Sequence, residues 1–135
     1  MKLNAYLAFD GRCREAFKFY EKTFGGRIAF LQTIGESPMA ATMPADAHDR
    51  VMHVTLHIGD QVLQGADAPP GQFAKPAGFC VAAHFADVAE GERVFSALAQ
   101  NGTVQMPFQP TFWAKGFGML IDQFGTPWIV NAGQE

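Results

Sequence analysis

The first half of the chain opens with an alternating run of apolar and polar residues, followed by a run with helical spacing. Residues 3–9 alternate and predict a strand. Asp10 stands where a side-chain acceptor would cap the first amides of a helix. Gly25-Gly26 ends that predicted helix, because glycine adopts the left-handed conformation without a Cβ clash. One apolar helix face is formed by Cys13, Ala16, Phe17, Tyr20 and Phe24.

Three further strands are predicted before the middle of the chain, over 27–33, 51–58 and 61–65. Gly59-Asp60 makes a tight turn between the last two. The segment 35–49 contains two prolines and several small residues, and it predicts a long loop.

The second half repeats this order. Its predicted elements are a strand over 79–85, a helix over 87–100 and strands over about 104–108, 117–121 and 128–130. Asp87 and Glu90 have the spacing of a capping box at the helix start. Asp122 and Gly125 occupy the first and fourth positions expected of a type I turn.

The repeated order of strand, helix and three strands predicts an α+β fold built from two βαβββ modules. One helix covers only one face of a four-stranded sheet, so the other face stays open until a second sheet curls toward it. We therefore expect a curved mixed sheet with a concave, ligand-sized cavity. The chain is predicted to be one domain over 1–135, with module one at about 1–66, a proline-rich linker at about 67–76 and module two at about 77–135. The linker is long enough for the modules to pair within one chain or to swap between chains.

The amino-acid composition and charge exclude some classes of function for this chain. Apolar residues make up 48% of the 135 residues, which suits a packed core, and the net charge of −3 comes from scattered residues. No basic cluster is present, so no nucleic-acid partner is expected. No apolar run long enough for a membrane span and no charged leader is visible, which predicts a cytoplasmic protein. Cys13 and Cys80 lie in different predicted elements and are expected to be buried reduced thiols.

Two stretches carry a family likeness: YLAFDGRCREAFKFY at 6–20 and TFWAKGFGMLIDQFGTPWIVN at 111–131. Both resemble the PhnB-like branch of the vicinal oxygen chelate (glyoxalase/bleomycin resistance/dioxygenase) superfamily. The resemblance spans almost the whole chain, and the aromatic C-terminal stretch is its more specific part. It implies the glyoxalase/bleomycin resistance fold and a homodimer.

Members of this branch often carry the label 3-demethylubiquinone-9 3-methyltransferase-like. A methyltransferase of the common kind uses a glycine-rich strand-to-helix turn to hold its nucleotide cofactor. The nearest glycine cluster here, Gly116 and Gly118, opens a predicted strand and leads into no helix. The sequence therefore argues against methyl transfer.

In metal-dependent relatives, four ligands from equivalent strands hold a divalent ion that chelates two neighbouring substrate oxygens. Here the first strand offers no His or Glu, the fourth offers Gln64, and the fifth offers only His84 near its far end. Ile129 stands where the usual Glu of the last strand would be. We therefore expect no family-typical metal site, and a divalent cofactor only at an atypical one.

His53 and His57 share one face of the predicted strand 51–58 with Thr55. We expect this face to look into the cavity, where the histidines would contact a ligand, relay a proton or form half of an unusual metal site. The alternative is two histidines that are partly exposed or hydrogen-bonded in a dimer interface. As a pair they are about 13 Å apart by strand rise, too far to hold one ion. His48, in the long loop, is expected to face solvent.

By the resemblance, the aromatic group near the C-terminus forms a wall of the pocket, although packing alone would also explain it. Trp113 and Trp128 each bring an N–H donor that requires a partner when buried. No catalytic residue is assigned. The predicted ligand contacts are His53, His57, Gln64, Trp113, Phe117 and Trp128.

These features favour a homodimeric protein that binds a small apolar or planar molecule. Two alternatives stay open. One is a divalent-metal-dependent lyase, isomerase or dioxygenase, for which His53 or His57 is the first ligand to test. The other is a resistance protein that sequesters a planar drug. Turnover distinguishes the enzyme, and release of an unchanged drug distinguishes the sequestering protein.

Overall fold

Two four-stranded sheets, each with one helix packed against it, form the framework of the computed structural model, which describes residues 1–134. The α+β class and the repeated βαβββ order are both confirmed. The elements are β1 (Ala5–Phe9), α1 (Cys13–Phe24), β2 (Arg27–Thr33), β3 (Val51–Ile58), β4 (Gln61–Asp67), β5 (Val81–Phe85), α2 (Val88–Ala99), β6 (Thr103–Gln109), β7 (Ala114–Ile121) and β8 (Pro127–Gln134).

The two sheets have the same topology. The first has the order β1-β4-β3-β2, with β1 parallel to β4 and the other pairs antiparallel. The second has the order β5-β8-β7-β6, again with only its first pair parallel. The chain divides into two compact units between Ala74 and Lys75. That these units form one domain with a linker at 67–76 stays a prediction.

In the first unit the core lies between α1 and one face of the sheet. Phe17 and Tyr20 are fully buried and pack edge to face, with ring centroids 5.5 Å apart. Phe17 comes so close to β4 that a Cβ on Gly65 would stand 2.6 Å from its Cε1. Glycine at this position therefore lets the helix approach the sheet.

The start of α1 differs from the sequence expectation. Asp10 does not cap the helix; its carboxylate pairs with Arg50 at 2.9 Å instead. The first amides are held by Asp67, whose Oδ1 accepts from the backbone N–H of Gly11 (2.7 Å) and of Cys13 (3.1 Å). The capping acceptor comes from the end of β4, so a search of neighbouring residues could not find it.

The segment predicted as a loop at 35–49 contains short 3₁₀ turns over 34–36, 38–42 and 45–47. His48 is half-buried there rather than facing solvent, and that expectation was wrong. Its Nε2 lies 2.9 Å from the carbonyl oxygen of Ala40 and 3.2 Å from that of Met43. Because both partners are acceptors, Nε2 carries the hydrogen and joins two turns of the segment.

In the second unit α2 packs on β7 and β8 through Val94, Phe95 and Leu98, which are buried. Asp87 caps the helix through the N–H of Ala89 at 3.4 Å. Glu90, expected to complete a capping box, forms an ion pair with Arg93. Neither α1 nor α2, the helices within residues 1–134, is long and apolar enough to cross a membrane.

Candidate functional site

The first sheet has one face covered by α1 and an opposite face that we call the open face. Along β3, Val54 and Leu56 are fully buried against the helix side. His53 and Thr55 are half-buried on the open face, and His57 is exposed there. The strand alternation thus places the two histidines and the threonine on one face, as the sequence predicted.

Strand pairing brings further side chains onto the open face. Tyr6 of β1 pairs with Gln64 of β4, Gln64 pairs with Thr55, and Thr55 pairs with Phe30 of β2. Directly paired residues point to the same side of a sheet, so these four form one row across all four strands. Gln64 therefore lies beside Thr55 of β3 on the open face.

His53 is the centre of a hydrogen-bond chain on this face. Its Nδ1 lies 2.9 Å from the Tyr6 hydroxyl, and its Nε2 lies 3.0 Å from Thr55 Oγ1. Aromatic rings flank the imidazole on two sides, with centroid distances of 5.6 Å to Tyr6 and 6.0 Å to Phe30. Both rings are about half exposed, at 53% and 49%. The imidazole is thus held in one orientation between two accessible aromatic surfaces.

Burial raises the pKa of the Tyr6 phenol above its ordinary value, and a negative charge at Cys13 would raise it further. Tyr6 is therefore a neutral hydroxyl near neutral pH, able either to donate or to accept one hydrogen bond through the chain. Sequence reasoning missed Tyr6 and Phe30 as site residues. That each lies on a strand was visible in the sequence, but the strand order that brings them beside His53 was not.

The second sheet has an open face of its own, opposite α2. Gly116, Gly118 and Leu120 of β7 face the helix, which leaves Phe117 on the open side. Asn131 pairs with both His84 and Phe117, and its Nδ2 lies 3.4 Å from His84 Nδ1. His84 is exposed, so this face offers an imidazole in the same cross-strand row as Phe117, with Asn131 between them.

Aromatic side chains continue from Phe117 toward the loop before β7. Trp113 packs edge to face on Phe117 at a centroid distance of 5.1 Å, and Phe112 on Trp113 at 4.7 Å. Trp113 and Phe117 are half-buried, whereas Phe112 is 93% exposed. These three rings form an aromatic cluster with surface available to a ligand.

Trp128 lies on the other side of this sheet. It is 2% exposed, pairs with the buried Leu120, and its indole N–H donates to Asp122 Oδ2 at 2.8 Å. Neighbouring residues of a strand alternate between faces, so the position of Ile129 on the open face places Trp128 toward α2. The expectation that Trp128 contacts a ligand is therefore corrected: its ring packs in the core and its donor stabilises the turn after β7.

The residues at the family's ligand positions do not fit a four-ligand divalent site. Gln64 pairs with Tyr6 in the first sheet, and the matching pair in the second sheet is Ile129 with Ala82. Neither Ile129 nor Ala82 has a side-chain donor atom for a metal. Within residues 1–134, no three His, Cys, Asp or Glu side chains are grouped so as to hold one ion.

A cleft of about 560 Å³ lies in the first unit, where β3 begins and β4 ends. Its lining is mostly apolar and includes three methionines, Met39, Met43 and Met52. The carboxylate of Asp67 also lines it, but this group already accepts from the N–H groups of Gly11, Cys13 and Val51. The cleft is thus a mostly apolar concave surface whose one carboxylate is already hydrogen-bonded.

Comparison of the whole sequence with known proteins agrees with this topology. Residues 2–130 match the profile of the glyoxalase/bleomycin resistance protein/dioxygenase superfamily. The chain belongs to this superfamily. The protein YjdN of Escherichia coli (strain K12) is 34% identical in a match that covers 97% of this chain and 95% of YjdN.

Solved structures agree with this assignment. Protein PA1353 from Pseudomonas aeruginosa matches with a TM-score of 0.91 and 40% identity, covering 100% of this chain and 99% of that one. The PhnB protein from Bacillus cereus matches with a TM-score of 0.81 and 25% identity, covering 98% and 99%. The resemblance to the PhnB-like branch of the superfamily is therefore confirmed.

Proposed function

We propose that this PhnB-like protein binds a small planar, largely apolar molecule on the open face of its first sheet. The observation that carries the proposal is the hydrogen-bond chain Tyr6–His53–Thr55 between two half-exposed aromatic rings. Binding sites for small molecules combine apolar and aromatic surface with a few oriented polar groups. The open face has this combination: Tyr6 and Phe30 supply ring surface, and His53, Thr55 and Gln64 supply hydrogen bonds.

The fixed orientation of His53 supports binding. Both ring nitrogens are held by hydroxyl groups, so the imidazole loses little freedom when a ligand arrives. A preorganised group contributes more to affinity than one that must first be ordered. His57 has no such hydrogen bond among residues 1–134 and is exposed, so we assign it a weaker contact than His53.

The aromatic cluster of the second unit supports the same ligand class. Trp113 and Phe117 present ring surface, and His84 lies in the same cross-strand row as Phe117. An aromatic surface with one polar group suits a planar molecule better than a phosphorylated one. We therefore keep Trp113 and Phe117 as proposed contacts for a ligand of this class on the open face of the second sheet taken by itself, and leave out Trp128.

The proposal includes binding without the superfamily's usual divalent metal. The side chains at the family's metal-ligand positions support this. Ile129 and Ala82 stand at two of them, and neither has a side-chain atom that can bind a metal. It further includes a homodimer in the cytoplasm. The superfamily resemblance supports the dimer, and two free cysteines, Cys13 and Cys80, are compatible with a reducing compartment.

Native mass spectrometry on untagged protein, purified without added metal, is the first test. We expect a dimer without a stoichiometric divalent ion, and a co-purified organic molecule would have a mass that indicates its class. About one divalent ion per chain would contradict the proposal and favour the enzyme alternative. The variants His53→Ala and His57→Ala would then show which histidine holds the ion.

Nuclear magnetic resonance locates the ligand within the first unit. 2-Naphthamide, a neutral planar probe, should shift the imidazole signals of His53, and Phe30→Ser should weaken its binding. Met39→Ser is the matched control, because Met39 lines the cleft at the end of the sheet. If only the methyl signals of Met39, Met43 and Met52 shift, the probe binds in the cleft, and the proposal that it binds on the open face is wrong. Recovery of the probe unchanged after incubation separates binding from turnover.

A further inference from the structure

The open face of the first sheet differs in charge from the chain as a whole. The chain has 13 acidic and 10 basic residues and a net charge of −3. Strand pairing and alternation place the following side chains on this face: Tyr6, Ala8, Arg27, Phe30, Gln32, His53, Thr55, His57, Val62, Gln64 and Ala66. None of them is Asp or Glu, whereas Arg27 is a permanent cation.

Arg27 carries positive charge that is available to a ligand. It lies at the start of β2, pairs with His57 across the strands, and is exposed. Within residues 1–134, no carboxylate lies at ion-pair distance from its guanidinium, in contrast to Arg12, Arg50 and Arg93. Phe30 lies three positions further along this strand, and a bulge between Ile28 and Phe30 lets both side chains share one face. Their partners His57 and Thr55 are two positions apart on β3, about 7 Å by strand rise. A long guanidinium side chain and an aromatic ring therefore belong to one patch of molecular size.

The hydrogen-bond chain adds a neutral donor to this patch. A neutral imidazole has one N–H, so it donates to one hydroxyl and accepts from the other. If Nε2 carries the hydrogen, Thr55 accepts from it and keeps its own O–H for a ligand. If Nδ1 carries the hydrogen, Tyr6 accepts and keeps its O–H instead. In either tautomer, one hydroxyl hydrogen at an end of the chain is left for an acceptor.

We propose that the molecule bound on the open face is a planar carboxylic acid in its anionic form. This inference rests on the proposed function and names the class of its ligand. The rings of Tyr6 and Phe30 bind the planar part. Arg27 and the Thr55 hydroxyl, whose hydrogen is free when Nε2 of His53 carries the imidazole hydrogen, bind the carboxylate. A carboxylate accepts charge-assisted hydrogen bonds more strongly than a neutral amide does. The absence of acidic side chains from these strand positions avoids repulsion of the anion.

A matched pair of probes tests the charge of the ligand. 2-Naphthoate and 2-naphthamide have the same ring system and nearly the same shape, but only the first carries a negative charge. Isothermal titration calorimetry of each probe on the full chain should show 2-naphthoate binding roughly tenfold more tightly, as expected when a neutral acceptor is replaced by a charged one.

Variants connect that preference to the named residues. Arg27→Gln should remove most of the preference for the acid while leaving 2-naphthamide binding nearly unchanged. Thr55→Val together with Tyr6→Phe removes both terminal hydroxyls and should reduce the preference as well. Lys18→Gln changes the net charge by the same amount as Arg27→Gln at an exposed position of α1, and it should leave both affinities unchanged.

The outcomes separate this inference from the proposed function. Equal affinity for the two probes, or tighter binding of the amide, overturns the carboxylate assignment and leaves planar binding on the open face intact. An equal loss of preference in Lys18→Gln and Arg27→Gln would show that net charge alone acts, and would overturn the role of Arg27. Failure of both probes to bind, with unmoved His53 signals, overturns the proposed function itself.

Discussion

Two buried aspartates each accept hydrogen bonds from several donors, Asp67 from segments remote in the sequence and Asp122 from the turn that follows it. Asp67 is 8% exposed, and its carboxylate accepts from the backbone N–H groups of Gly11, Cys13 and Val51. Asp122 is 3% exposed and accepts from Phe124, Thr126 and the indole of Trp128. Buried polar groups must be paired, so each carboxylate joins several donors that would otherwise be buried without partners.

Replacing Asp67 by asparagine should lower the free energy of unfolding by about 2–3 kcal/mol. The amide nitrogen of the new side chain would face a backbone N–H, so at least one donor would lose its acceptor. Urea unfolding followed by circular dichroism measures the change. Asp87→Asn is the matched control, because Asp87 is exposed and accepts one bond at 3.4 Å, and it should cost less than about 1 kcal/mol. Equal losses in the two variants would contradict the role given to Asp67.

Cys13 and Cys80 should differ sharply in reactivity. Burial raises the pKa of the Cys13 thiol far above its ordinary value, and the negative charge of Asp67 raises it further, although Arg14 partly offsets this. The thiolate is the reactive form, so a raised pKa keeps Cys13 inert as pH rises between about 7 and 9. Cys80 is only half-buried.

Titration of the native protein with a thiol reagent should therefore detect one reactive group per chain, and two after unfolding. Cys80→Ser should abolish the native reaction, whereas Cys13→Ser should leave it. A native protein that reacts at both thiols by about pH 9 would show that Cys13 is not protected by the fold.

At the scale of elements, close packing of α1 on β4 depends on one missing side chain. A Cβ on Gly65 would lie 2.6 Å from Phe17 Cε1 and 2.8 Å from the carbonyl oxygen of Leu7. The second contact is with backbone, which cannot move aside without disturbing the β1–β4 pairing. Gly65→Ala should therefore destabilise the protein by about 1–3 kcal/mol.

Thermal and urea unfolding of Gly65→Ala measure this cost. Ala66→Ser is the control, since Ala66 is the next residue and lies on the open face, and it should have little effect on stability. If Gly65→Ala is as stable as the parent chain, α1 can shift outward without loss of stability. The close approach of Phe17 to Gly65 would then not be needed for a stable fold.

The same elements show what the sequence could predict. Alternation along 51–58 predicted that His53, Thr55 and His57 share a face, because period-two burial is a local property of a strand. The cap of α1 was missed because its acceptor, Asp67, is 54 positions from Cys13. The partners of His53 were missed for a similar reason: Tyr6 reaches it only through the order of strands in the sheet.

Trp128 shows a different limit. Its aromatic side chain and its family context favoured a pocket wall. Ile129, however, stands at the metal-ligand position of the same strand, and alternation from that position places Trp128 on the opposite face. Local alternation alone would have predicted the correct face for Trp128, whereas the family resemblance predicted the wrong one. The position of Asp122, which satisfies the indole N–H, required the folded turn.

At the scale of the whole molecule, large apolar side chains are exposed on both units. Leu3, Phe79 and Phe112 are each more than half exposed, and Val104 and Met106 are exposed on the edge strand β6. Exposed apolar surface and an unpaired strand edge are both sites of association between protein chains. Together with the superfamily resemblance, they lead us to predict a homodimer.

Light scattering coupled to size exclusion should therefore give twice the 14.7 kDa mass of one chain at micromolar concentration. An interface formed mainly by apolar side chains should persist at about 1 M salt, where exposed ion pairs are screened. Dissociation at high salt would point instead to an interface held by charges. A single species of 14.7 kDa across a dilution series would contradict the dimer.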